Sequence, residues 1–381
     1  MSISQPLVVD VAWATGLPTD PFQTEGSPPD HAVAAAILRE LMGDPDGKDR
    51  SRTGVPVFFR RLPTGRGVPP PTPDWTQAER RAVVVLLDDE LVAQYPIRES
   101  ASWAWIEQVL QEAAARGWLV LPIALTPDAM QLGTVSGSIN LARLAEFDGA
   151  DQARFAASIV ALEVHRLLSP DRKVSVFISY ASADGQQIAD GLKRFFDEEP
   201  HLAPFLDRTG IYAGEDFGRV LDENVTKGPV IAVVTDAYAA SVWCGQEILE
   251  AKAARQPVVV IDAIEKGHER SFPYLGNGPV TRWHADQPHV TYRSVEMLAI
   301  RETLRRTYLP LRVEHMCRMA GVPNVGIVLP RAPELMTLVG IGGSGNQTVV
   351  YPDPPIPTAE LKLLEQAFPR YSFRTPTEVL Q

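Results

Sequence analysis

Apolar positions in this chain fall into short β-branched runs separated by stretches of helical period. The first run, Leu7-Val8-Val9-Asp10-Val11-Ala12-Trp13, is apolar almost throughout and predicts a buried strand. A polar, Pro-rich loop follows. His31–Met42 then reads as a helix, with Asp30 as its N-cap and Gly43 as its stop. Val55–Arg61, Arg81–Leu87 and Trp118–Ala124 predict three more strands, and Ser102–Arg116 and Ala150–Leu168 two more helices. Between the second and third strands, Pro63–Pro73 is too rich in Pro and Gly for regular structure. Strands alternating with helices predict a parallel sheet covered on both faces.

The same alternation starts again at Lys173. Lys173–Tyr180, Ala203–Asp207, Pro229–Thr235 and Pro257–Ile261 read as strands, with Thr281–Trp283 at an edge. Ile188–Glu198, Phe217–Thr226, Trp243–Arg255 and Ser294–Arg306 read as helices, and a Gly-bearing loop spans Asp207 to Phe217. Beyond them Leu311–Ala320 reads as helix and Leu335–Ile341 and Val349–Tyr351 as strands. Thr358 caps a further helix to Phe368, and Tyr371–Arg374 is a last strand. The chain thus divides into an α/β domain over 1–170, a second over 171–308 and a small αβ appendage over 309–381.

The two halves look like copies of one unit. A shift of 140 sets Trp103 on Trp243, Glu107 on Glu247, Ala113 on Ala253, Ala114 on Ala254 and Val120 on Val260. Any two amphipathic αβ units share such a pattern, so duplication stands beside that plainer reading.

Composition narrows the function only a little. A hydrophobic fraction of 45% and a charged fraction of 22% are ordinary for a globular protein. The net charge of -11 argues against direct contact with a nucleic-acid backbone, which needs a cationic face. Cys244 and Cys317 are the only cysteines, so no disulfide framework is implied and a reducing interior suits the chain. Met1–Pro18 has no cationic start of the secretory kind, and no apolar run approaches the roughly 20 residues of a membrane helix. The expectation is a cytoplasmic protein without membrane contact.

Trp243 and Glu247 are the first candidates for chemistry, because positions i and i+4 share a helix face. On spacing alone the solvated helix residue is the favoured reading of Glu247, and Trp243 reads also as ordinary core. Cys244 has no histidine near it in sequence and reads as packing. Gly340-Ile341-Gly342-Gly343-Ser344-Gly345 has the spacing of a phosphate-cradling turn but runs into an apparent strand rather than a helix, so it reads as a flexible turn. His315 and Cys317, two apart on a helix, point to different faces and make a poor metal pair. No metal site is expected, and no Ser/His/Asp grouping is readable.

Taken in order, several segments of the second domain resemble the TIR (Toll/interleukin-1 receptor) family in its bacterial, enzymatic form. They are Val176-Phe177-Ile178-Ser179-Tyr180 with Ala181-Ser182-Ala183-Asp184, Phe205-Leu206-Asp207, and the loop Ile211–Phe217, which looks like the family's BB loop. Val233–Glu247 and Phe272-Pro273-Tyr274-Leu275-Gly276 complete the set. The resemblance implies a flavodoxin-like parallel sheet over about 173–306, preceded by a TIR-like α/β domain and followed by the appendage. That first domain departs from the pattern, with Val11-Ala12-Trp13-Ala14 where Phe-Ile-Ser-Tyr stands, and is expected to be degenerate.

Many family members cleave NAD⁺, and the resemblance implies Glu247 as the essential carboxylate. It also implies Trp243, Tyr180, Ala181, Arg208, Gly214 and Phe217 as the lining of the substrate site, with Arg208 a phosphate contact. NAD⁺ is then a substrate, and no cofactor is expected. Homotypic TIR–TIR assembly is implied as the activity switch, with an upstream sensor or downstream effector as a further partner and anti-phage defence as the setting. The rival reading is a non-enzymatic TIR scaffold that signals by docking alone.

Overall fold

The computed structural model describes residues 5–15, 31–43, 53–132, 134–135, 139–140, 142–147, 149–169, 173–199, 202–206, 225–266, 275–322, 326–341 and 345–380. The chain divides into two compact units, Met1–Leu167 and Leu168–Gln381.

In the first unit β1 (Gln5–Thr15) is an inner strand, and Leu7, Val8, Val9, Val11 and Ala12 are fully buried as its near-continuous apolar run requires. Helix α1 (Ala32–Met42) ends at Gly43, whose φ of 94° suits glycine. The expected cap Asp30 lies outside the described residues, and His31 precedes the helix without a side-chain cap bond. There follow β2 (Val57–Pro63), β3 (Ala78–Leu87), α2 (Asp89–Ala93), α3 (Ala101–Arg116), β4 (Leu119–Ala124) and α4 (Pro127–Gln131). A short antiparallel pair, β5 (Thr134–Val135) and β6 (Ile139–Asn140), leads to β7 (Ala142–Arg143) and α5 (Gly149–Leu168). The main sheet runs β2-β1-β3-β4-β7 with every pair parallel.

An ion pair is buried in this sheet. Asp10 on β1 is fully buried and accepts from Arg81 of β3, also fully buried, and from Arg60 of β2 at 2.8 Å. Arg81 also donates to the carbonyl of Asp74 at 2.9 Å. The three strands are thereby tied by one carboxylate as well as by their ladders.

The second unit begins with β8 (Val174–Tyr180), α6 (Gln186–Glu198), β9 (Leu202–Leu206) and β10 (Val230–Val234). Then come α7 (Val242–Ala253), β11 (Val258–Asp262), the edge strand β12 (Val280–Arg282) and α8 (Pro288–Ala320). Its sheet runs β12-β11-β10-β8-β9, again all parallel. Counted along the chain, both sheets have the order 2-1-3-4-5, the flavodoxin-like doubly wound arrangement. The shared order is a shared fold, common to many unrelated proteins, and does not establish duplication.

Two expectations need correction after the sheet. Ser294–Arg306 and Leu311–Ala320 are parts of the single helix α8, which passes through Pro310. A proline removes one helical hydrogen bond, but Leu309, Val313 and Cys317 lie at four-residue spacing and share one buried cluster with Val350, which favours continuity. Leu335–Ile341 is not a strand either: Leu335–Val339 forms a short helix, α9, with Leu338 buried. A brief apolar run carries no period long enough to distinguish helix from strand. With α9 lie β13 (Ile327–Val328), β14 (Gln347–Val350), α10 (Thr358–Ala367), β15 (Tyr371–Arg374) and α11 (Pro376–Val379). The three strands form a parallel sheet, β13-β14-β15.

Candidate active site

Helix α7 starts where Ser241 accepts the backbone N–H of Cys244 at 3.3 Å, a serine N-cap. Its buried face is Cys244, Glu247, Ile248, Ala251 and Lys252. Beneath it, alternate residues of the sheet, Phe177, Ala181, Val230, Ala232 and Val234, form one apolar cluster with Cys244, Ile248 and Ala251. Ser179 stands between Phe177 and Ala181 on the same side of β8, opposite Ala232. It is the polar position in this apolar row.

Glu247 comes down onto that position. It is only 3% exposed, and the Ser179 hydroxyl donates to its Oε2. The Ser179 oxygen lies 2.7 Å from the Tyr238 hydroxyl, which is fully buried. Because the Ser179 proton points to the carboxylate, Tyr238 is the donor to Ser179. Burial first, then the charges at Cys244 and Glu247, push the Tyr238 phenol well above its ordinary range, against the pull of the Ser179 hydrogen bond. Tyr238 therefore keeps its proton, and the chain Tyr238 to Ser179 to Glu247 has a fixed sense. Two hydroxyls in series hold one carboxylate.

The place is the one the topology favours. β8 and β10 are the neighbours at which the strand order reverses, and open α/β sheets bind ligands beyond the carboxyl ends of that pair. Loops around it are tied down: Asp184 accepts from Thr235 Oγ1 at 2.5 Å and from Ala237 N–H at 2.9 Å. Asp236 accepts from Lys266 N–H at 3.0 Å and Glu265 N–H at 3.2 Å. These bonds join the segments after β8, β10 and β11.

The residues expected to line a substrate site fall in different settings. Ala181 is buried in the same cluster as Cys244. Tyr180 is buried at the end of β8, but strand alternation puts it on the opposite face from Ser179. Trp243 is not core: it is 52% exposed, beside the still more exposed Val242, on the first turn of α7. Arg208, Gly214 and Phe217 lie outside the described residues. Sequence reasoning missed Ser179, Tyr238 and Asp184 as supports. Their signal was a hydroxyl or carboxylate at positions where strand parity or a turn aims it at the same strand end.

The first unit differs at the matching place. Its α3 buries Ser102, Trp105, Ile106, Val109 and Leu110, each 142 residues before the buried Cys244, Glu247, Ile248, Ala251 and Lys252 of α7. The shift of 140 expected from the letters is therefore corrected by two. Trp105, fully buried, takes the helix position of Glu247, while Glu107 is exposed. Ala12 and Ala14 are the β1 residues of the cluster beneath α3, and neither carries a hydroxyl.

Alkali tests the buried phenols. Burial also raises Tyr308 far above its ordinary value, with Arg312 pulling slightly the other way. Unfolded tyrosine ionises near pH 10. Raised folded values mean that stability is intact below that pH and is lost as the pH climbs above it. The expected result is that Tyr238 and Tyr308 gain phenolate absorbance only together with loss of helix circular dichroism. Reversible ionisation of both near pH 10 with the fold intact would contradict it.

Residues 176–287 match a protein-family model described as TIR domain. No curated protein matches the chain. Among solved structures, the chain is similar to a crystal structure of tagatose-6-phosphate ketose/aldose isomerase from Escherichia coli, with 12% identity over 80% of this chain and 84% of that one. The TM-score of 0.21 is too low for that likeness to bear on fold or function. No described helix is long and apolar enough to cross a membrane.

Proposed function

Since the chain carries a TIR domain over residues 176–287, we propose that this domain cleaves the bond between nicotinamide and ribose in NAD⁺, with Glu247 as the essential carboxylate. The single observation that carries the reading is the Glu247 carboxylate, buried at the strand-order reversal and held through Ser179 by Tyr238. The nicotinamide of NAD⁺ is a cationic ring that leaves neutral, so its departure needs no general acid. Positive charge develops on the ribose instead, as in glycoside cleavage. A carboxylate in a partly dry site opposes that charge far better than one in water. Water then adds to the ribose carbon and loses a proton, giving ADP-ribose, or an adenine nitrogen closes a ring.

Trp243, half exposed at the start of α7, supplies a face on which a base can stack. Ser179 and Tyr238 orient the carboxylate rather than touch substrate. Ser179→Ala is therefore expected to slow nicotinamide release about tenfold, the worth of one hydrogen bond to a charged group. Release at the wild-type rate would remove Ser179 from the orienting chain. Assembly through TIR–TIR contacts is the proposed switch, in a cytoplasmic anti-phage role.

A second reading is favoured by the exposed Val242 and Trp243, which suit a docking surface as well as a substrate wall. In that reading the domain is a scaffold. Following nicotinamide release from NAD⁺ by the purified protein, wild type beside Glu247→Ala, separates the two: equal turnover by both overturns the enzymatic assignment.

A further inference from the structure

At the amino ends of the strands, away from Glu247, the second unit contains a small, partly open cleft with a cavity volume of about 60 Å³. It is walled by the C-terminal turn of α7, the start of β11, α8 and the segment before α9. Lys252, Arg255 and Arg331 line it, together with Glu302 and Glu334. Lys252 is paired with Glu334, and Arg331 donates to Glu302 at 2.9 Å. These pairs hold the walls: Glu334 also accepts from Asn277 N–H at 2.8 Å, and Arg331 donates to the Asn277 carbonyl at 2.6 Å. Three cations against two carboxylates leave the cleft locally positive in a chain of net charge -11.

Arg255 is the unusual member. Helix α7 closes with Gln256 N–H bonded to the Ala251 carbonyl at 2.8 Å and Arg255 N–H to the Lys252 carbonyl at 2.9 Å. That is the Schellman pattern, and it requires a left-handed residue just past the cap, where glycine is the default. Arginine holds the position instead, at φ 57°. A bulky residue kept in a conformation that glycine fills more easily points to its side chain being needed. The side chain lines the cleft and stands near Arg306, whose guanidinium is pulled below its ordinary range by burial and then by Arg255. Two neighbouring guanidiniums of like charge are better accommodated with an anion between them.

Gln256, the next residue, lines the same cleft. Its Nε2 donates to the Thr226 carbonyl, but its Oε1 is buried with no hydrogen-bond partner among the described residues. Buried acceptors of that kind ask for a donor.

We propose that this cleft binds a phosphate ester, with Arg255 as the principal phosphate contact, Lys252 and Arg331 as supporting charge, and a ligand hydroxyl donating to Gln256 Oε1. A sugar phosphate, free or within a nucleotide, has both groups. The site does not depend on Glu247 being catalytic.

Arg255→Gly tests it without threatening the fold, since glycine suits the left-handed position. The full chain is titrated calorimetrically with ribose 5-phosphate, AMP and inorganic phosphate at constant ionic strength. Wild type is expected to bind ribose 5-phosphate or AMP saturably and more tightly than inorganic phosphate; whichever ester binds more tightly identifies a free sugar phosphate or a nucleotide. Arg255→Gly is expected to weaken that binding at least tenfold while Tm without ligand stays level or rises by about 2 °C. No saturable binding of either ester below about 10 mM, equal binding by the variant, or no preference over inorganic phosphate overturns the proposal.

Discussion

Glu247→Gln is expected to lower the proposed nicotinamide release by about 10³-fold, while Tm moves by only a few degrees. The substitution keeps the volume of the side chain and an oxygen that accepts from Ser179, so α7 stays seated on Phe177, Ala232 and Val234. What it removes is the negative charge. In a site where the carboxylate is 3% exposed, that charge faces little competing solvent. Removing one preorganised electrostatic contact of this kind typically costs 10²–10³ in rate, and a full charge lies at the upper end. Losing one charged hydrogen bond in exchange for a neutral one costs about 1 kcal/mol of stability. A variant that is folded but nearly inactive is therefore the expected outcome. Should Tm fall by more than about 10 °C together with activity, the carboxylate is a structural group and its loss says nothing about catalysis.

The second large effect is on stability. Asp10→Ala is expected to destabilise the first unit by about 3–5 kcal/mol, because it strands Arg81 in the sheet with its buried charge uncompensated. Arg60, partly exposed, can turn to solvent, but Arg81 has no such exit. Replacing both members, Asp10→Ala with Arg81→Met, is expected to restore most of the loss, since a buried ion pair and an apolar pair of similar volume are close in stability. Urea unfolding followed by fluorescence reads both. Asp10→Ala within about 1 kcal/mol of wild type would mean that Arg81 finds another partner. The two buried carboxylates thus sit in different settings: Asp10 ties strands together through guanidiniums, whereas Glu247 accepts from the Ser179 hydroxyl.

Much of the fold was legible because β-branched runs such as Val83-Val84-Val85 and Val258-Val259-Val260 have no competing helical reading. Alternation then led to parallel sheets. Pro310 was misleading because local chemistry disfavours a helix there, while the packing of Leu309, Val313 and Cys317 decides otherwise. Leu335–Val339 was too short to show its period. At the site, the pairing of Trp243 with Glu247 was visible as letters, yet only the folded chain separates a half-exposed indole from a buried carboxylate. Ser179 and Tyr238 are 59 residues apart and meet Glu247 through β8–β10 pairing, which no local spacing encodes. The repeat illustrates the same limit. Letters aligned Trp103 with Trp243, while burial aligns Trp105 with Glu247 and leaves the first unit without a carboxylate at that position.

The most direct measurement is a mass-resolved product analysis of NAD⁺ incubated with the purified chain at graded protein concentration, wild type beside Glu247→Ala. Nicotinamide together with ADP-ribose or its cyclic form is expected from wild type, rising steeply with concentration, and intact NAD⁺ from the variant. Equal product from both proteins would contradict that expectation.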